Sequence, residues 1–123
     1  MNKEFVPYEL AVKLKVLGFD EPCFGYFDCE RDFQFIPNKQ KFLVCEVTRP
    51  TFSQAFRWFR EKFNIYTIIL PSYADDKVVK DRFFYEIANG RKLNQELNYH
   101  NTYEEAELAC LNKLIEIIES KPE

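Results

Sequence analysis

The sequence predicts an α+β fold: an antiparallel sheet of four to six strands, two amphipathic helices packed on one of its faces, and a short N-terminal helix. Three observations lead there. Two segments open on Thr-aromatic-x-Gln/Glu and continue with apolar residues at helical spacing, around Thr51 and Thr102. The stretches before and between them break into short aromatic and β-branched runs bounded by turn residues. No linker-like composition or internal repeat interrupts the 123 residues, so residues 1–123 read as a single domain, long enough for a core without staples.

The first helix is expected over residues 7–17. Pro7 suits a first helical turn, where an amide proton has no intrahelical acceptor. Leu10, Leu14 and Leu17 form one stripe, Gly18 can take the left-handed position that ends a helix, and Phe19 stands where a Schellman cap folds an apolar residue back on Leu14. Residues 23–27 and 33–36 then read as a hairpin joined by the polar turn 28–32, and residues 37–41 as a second turn. Residues 42–47 read as a third strand, for which a three-stranded meander is the simplest arrangement. Thr51-Phe52-Ser53-Gln54 is a capping box, after which Phe52, Ala55, Phe56, Phe59 and Phe63 fall on one narrow arc. Residues 65–70 form a β-branched strand stopped by Pro71, residues 72–81 a loop, and residues 83–87 a further strand. Asn89-Gly90 is a tight-turn signal, with a weak strand within residues 91–98. Thr102-Tyr103-Glu104-Glu105 caps the last helix. Its apolar arc runs through Tyr103, Ala106, Cys110, Leu111, Leu114, Ile115, Ile117 and Ile118, with Glu107, Asn112, Lys113, Glu116 and Glu119 opposite.

Composition narrows the function classes. A net charge of −3 argues against a broad electrostatic grip on nucleic acid. No apolar run approaches the roughly 18 residues that a bilayer demands. The N-terminal residues lack a secretory pattern, so a cytoplasmic protein is expected, its Cys23, Cys29, Cys45 and Cys110 reduced and mostly acting as small buried hydrophobes. Their scattered spacing has no C-x-x-C pair and points to no zinc site. Three glycines leave little material for a phosphate-cradling loop, and no P-loop, dinucleotide fingerprint, zincin motif or nucleophile elbow occurs. Asp28, Glu30 and Asp32 alternate like the start of a calcium loop but lack its glycine and terminal glutamate, so a solvated turn is expected. The lone histidine, His100, lies in polar company just before a helix cap and reads as a surface residue. No catalytic residue, metal ligand or cofactor is therefore assigned.

The aromatic surplus, 17% with 13 Phe and 7 Tyr, can fill a core or furnish a contact surface. Trp58 falls off the phenylalanine stripe, between Arg57 and Arg60. An aromatic anchor flanked by arginine is a combination enriched at protein-binding hot spots. Trp58, Arg57 and Arg60 are thus the candidate interface residues.

Three blocks carry a resemblance. Leu17-Gly18-Phe19-Asp20-Glu21-Pro22-Cys23, Gln54-Ala55-Phe56-Arg57-Trp58-Phe59-Arg60-Glu61-Lys62 and Thr102-Tyr103-Glu104-Glu105-Ala106-Glu107-Leu108-Ala109-Cys110-Leu111 look like those of a family of small uncharacterised proteins from gut anaerobic bacteria and their phages and mobile elements. With the two capped helices and the end of the first helix that they mark, they cover roughly a third of the chain. The resemblance brings no activity and no catalytic residue. It implies an accessory protein of phage or mobile-element origin working in the bacterial cytoplasm. The expectation is a small non-enzymatic protein-interaction module, binding another protein or itself as a homodimer, with no membrane partner. A nucleic-acid-associated accessory factor and a small enzyme without a recognisable motif are the alternatives.

Overall fold

Helix borders fall where the capping residues put them. The computed structural model describes residues 2–35, 42–90, 92–95 and 99–120. Its elements run, after a short 3-10 turn at Asn2–Glu4, as α1 Tyr8–Val16, β1 Gly25–Phe27, β2 Phe33–Phe35, β3 Val47–Arg49, α2 Phe52–Phe63, β4 Ile65–Ala74, β5 Lys77–Asn89, β6 Lys92–Gln95 and α3 Tyr103–Glu119. The fold is α+β, but the strands form two antiparallel three-stranded sheets, ordered β2-β1-β3 and β4-β5-β6, rather than one sheet of four to six. The chain divides into two compact units, residues 1–55 and 56–123, with one sheet in each.

In the first unit α1 ends in a Schellman cap. The amide of Phe19 donates to the Leu14 carbonyl at 2.9 Å, that of Gly18 donates to Lys15 at 3.0 Å, and Gly18 takes φ 103°. Leu14 and Phe19 are both buried. The β1–β2 hairpin forms over the 28–32 turn as expected, with Phe27 opposite Phe33. Gly25 is required there, because a β-carbon would run into the Phe33 ring and the Gln34 carbonyl oxygen. The expected meander does not form. β3 is shorter and later than residues 42–47, and it pairs with the free edge of β1, Gly25 opposite Arg49 and Phe27 opposite Val47. β1, buried at all three positions, is the strand that gains most from a neighbour on each side. Residues 42–45 precede this pairing and are exposed. The second edge of β3 is continued by the N-terminal segment, through a Phe5–Thr51 bridge and a 2.9 Å bond from the Val6 amide to the Pro50 carbonyl. The turn expected at residues 37–41 lies outside the described residues.

The reading of all four cysteines as reduced is corrected. Cys29 and Cys45 are joined in a disulfide with Cα atoms 5.0 Å apart. Each lies two residues beyond the Phe27–Val47 pair, so the β1–β3 register extended outward sets them opposite one another on one face. Both are exposed, whereas the free Cys110 is buried and the free Cys23 is half-buried. Burial, chiefly, pushes the Cys23 thiol up to about 12, which leaves it unreactive.

The capping box opening α2 is formed in both directions. The Gln54 amide donates to Thr51 Oγ1 and the Thr51 amide to Gln54 Oε1, each at 3.1 Å. Asn64, at φ 57°, ends the helix in a left-handed turn.

In the second unit β4 and β5 make a hairpin much longer than expected, and residues 72–81 belong to it instead of forming a loop. Two sequence features concealed this. Pro71 stays within β4 because β4 is an edge strand and its missing amide proton faces no partner. Asp75 and Asp76, both at positive φ, make a primed two-residue turn without glycine. Opposite the Pro71/Ser72 step the register slips, leaving residues 80–82 of β5 bulged out with Asp81 left-handed. Ser72 Oγ is buried at this step and has no hydrogen-bond partner among the described residues. Asn89-Gly90 turns the chain into β6, Gly90 at φ 64°. Residues 91 and 96–98 of the weak-strand expectation lie outside the described residues.

α3 has the 17 residues its pattern suggested and packs against β5 and β4. The Glu105 amide donates to Thr102 Oγ1 at 3.1 Å. The return bond reaches one residue further, from the Asn101 amide to Glu105 Oε2 at 3.3 Å. Glu107, expected on the solvent side, is half-buried. Burial first and the neighbouring Glu104 charge second lift its carboxyl to about 7. An acid whose pKa is raised by folding favours the fold while protonated. Stability therefore falls as pH rises from about 4.5 to about 7 and is flat above. Glu107→Gln should match the wild type at pH 4 and exceed it at pH 8 by roughly 1 kcal/mol after solvent screening. Thermal melts at the two pH values check this, and an equal difference at both would contradict the assignment.

Candidate functional site

The three interface candidates on α2 separate. Trp58 is 4% exposed and packs edge-on against Phe59 and Phe63, at centroid distances of 5.1 and 5.3 Å. Lys62 Nζ lies 5.3 Å from its ring centroid. Arg57 and Arg60 are exposed, and Arg57 reaches Glu61 at 3.7 Å along the helix. A ring so deeply covered cannot anchor a partner. The helical stripe misplaced it because the buried arc of α2 is turned toward Trp58. Phe52, Ala55, Trp58 and Phe59 are buried, while Phe56 and Phe63 are only half-buried.

Part of the exposed aromatic and aliphatic surplus lies on the β4–β5–β6 sheet, and part in the first unit at Phe24, Phe35 and residues 42–44. The pairs Tyr66–Ala88, Ile68–Glu86 and Leu70–Phe84, with Leu93 beside Ala88, point to one face by register. The alternate residues Ile65, Tyr85 and Ile87 are buried on the other face, where Phe83 meets Tyr103 of α3. On the outward face Tyr66 is 52%, Ile68 50% and Leu93 58% exposed. Tyr99 adds its ring beside Phe84, and Arg82, set by the bulge, places its guanidinium 5.6 Å from the Tyr99 centroid. The His100 backbone exchanges two hydrogen bonds with Phe83 at 2.8 and 2.9 Å.

The acidic triplet behaves as a turn. The carboxylate oxygens of Asp28, Glu30 and Asp32 lie within 4.8 Å of one another at the surface. Asp28 accepts from the amides of Glu30 and Asp32, both at 2.9 Å, and from Gln34 Nε2 at 3.1 Å. The Asp32 amide above all holds its carboxyl below the ordinary value. These bonds close the hairpin.

Arg49 is a functional candidate that the sequence reading missed. It is 7% exposed and sits among phenylalanine rings. Its guanidinium carbon lies 4.7 Å from the Phe27 centroid, 4.8 Å from Phe33 and 5.5 Å from Phe5. Nε donates to the Val6 carbonyl at 2.7 Å. The only hint in the sequence was an arginine two residues past the expected strand 42–47, just before Pro50.

No helix among the described residues is long and apolar enough to cross a membrane. No family model, no curated protein and no solved structure matches the chain.

Proposed function

We propose that the chain is a non-enzymatic protein-interaction module whose contact surface is the outward face of β4–β5–β6, with a second copy of the chain as the first partner to test. One observation carries this reading. Tyr66, Ile68 and Leu93 form a register-matched apolar face, each at least half exposed, on the side of the sheet opposite α3. Contiguous apolar surface of this kind marks association sites. The face also carries Arg82 and Glu86, one charge of each sign, which suits a two-fold pairing of the patch with itself. The accessory role implied by the sequence resemblance belongs to the same reading.

Sedimentation velocity over a wide concentration range tests it. The wild type should move toward a dimer as concentration rises. Ile68→Asp should stay monomeric, with a melting temperature changed little because the side chain is at the surface. A wild type that remains monomeric throughout, or an Ile68→Asp variant that associates equally well, removes the proposal.

A further inference from the structure

Arg49 presents a physical imbalance. Its charge is buried, and among the described residues no carboxylate pairs with it and its single side-chain hydrogen bond goes to a neutral carbonyl. Three phenylalanine faces offset part of the desolvation through their negative quadrupoles. Burial lowers its pKa, yet a guanidinium remains a cation at neutral pH. A guanidinium has five N–H donors in a plane. With Nε committed to Val6, the edge carrying the two Nη groups has no hydrogen-bond partner among the described residues. Arg49 as a whole is 7% exposed. A pair of parallel N–H donors without a partner matches the two oxygens of a planar carboxylate.

The surroundings narrow the ligand further. Phe35 is 56% exposed, and its ring lies 4.5 Å from Phe33 and 6.2 Å from Phe5. An apolar rim thus adjoins the cationic edge. Register places Gly25, Phe27, Phe33, Phe35 and Arg49 on one face of the first sheet, so rim and fork open together. We propose that Arg49 and this phenylalanine frame form a binding site for a carboxylate carried on an apolar group. The rings hold the guanidinium plane, the Nη edge takes the carboxylate, and Phe35 covers the hydrocarbon. This inference does not rest on the sheet face proposed above, which belongs to the other unit.

Hexanoate is the probe. Titrated at constant ionic strength against the wild-type chain, it should saturably shift the Arg49 Nε–Hε resonance and raise the melting temperature, while chloride does neither. Acetate should do both more weakly. Phe35→Ala, at an exposed position, should weaken hexanoate roughly three- to tenfold and leave acetate unchanged. Arg49→Lys keeps the charge and removes the fork, and it should abolish the saturable response. Should that variant fail to fold, the wild-type titration and Phe35→Ala decide the matter. An Nε resonance unmoved by hexanoate, an equal shift from chloride, or equal hexanoate affinity in Phe35→Ala overturns the proposal. An inorganic phosphate titration that outcompetes hexanoate also overturns it, showing a general anion site.

Discussion

Phe59→Ala should lower unfolding stability by about 4 kcal/mol, the largest loss expected from any single truncation in α2. Phe59 is completely buried, its ring 5.1 Å from Trp58 and 5.7 Å from Phe63. Truncation removes the transfer energy of a ring and leaves a cavity walled by two other rings, which cannot close it without breaking their own edge-on contacts. Domains of this size hold about 5–15 kcal/mol in all, so the variant sits near the edge of folding. Urea denaturation measures the effect, with a midpoint lowered by roughly 2 M. Arg60→Ala, one position on and exposed, is the control and should stay within about 0.5 kcal/mol of the wild type. The same titration reports on Trp58, the chain's only tryptophan. Its emission should be shielded from acrylamide in the native protein and exposed in step with unfolding. A Phe59→Ala loss below 1 kcal/mol, or a tryptophan quenched freely in the native state, would contradict the buried cluster.

Much of the local structure was legible because it is written in neighbouring residues. Thr51 with Gln54 and Gly18 with Phe19 each act over a few positions and form in full; Thr102 with Glu105 makes the forward bond of its box, and Gly90 turns left-handed after Asn89, which stays paired in β5. What the sequence hid depends on residues far apart. Whether β3 pairs with β1 or β2 rests on the burial of β1, which no residue of β3 announces. Pro71 looked like a strand end because its tolerance depends on β4 being an edge strand, a property of the whole sheet. Asp75-Asp76 adopts a turn conformation that glycine or asparagine would have signalled.

The site residues divide along the same line. Trp58 was singled out by its place on a helical wheel. A wheel gives spacing around one helix and not which arc its neighbours cover. Arg49 was overlooked because its surroundings come from three separate places: Phe5 near the N-terminus, Phe27 on β1 and Phe33 on β2. Nothing local to residue 49 reveals them.

Reduction of the Cys29–Cys45 disulfide should lower stability by about 3 kcal/mol. The bridge closes a loop of 16 residues, and a cross-link of that span removes about this much conformational freedom from the unfolded chain. On the folded side it joins the β1–β2 turn to the exposed stretch before β3. That stretch is otherwise tethered by Lys15, whose Nζ donates to the carbonyls of Val44 and Glu46 at 2.8 and 2.9 Å. Denaturant midpoints with and without a phosphine reductant should differ accordingly, and Cys29→Ser/Cys45→Ser should match the reduced wild type and ignore the reductant. Thiol titration of the unfolded chain gives an independent count: two reactive groups, Cys23 and Cys110, before reduction and four after. Four thiols in air-equilibrated protein, or midpoints that coincide, would show that the pair is open and restore the reduced-cysteine reading. The cytoplasmic expectation carried reduced, buried thiols with it as a corollary, and an exposed, register-matched pair runs against that corollary, since such bridges persist where the surroundings are oxidising.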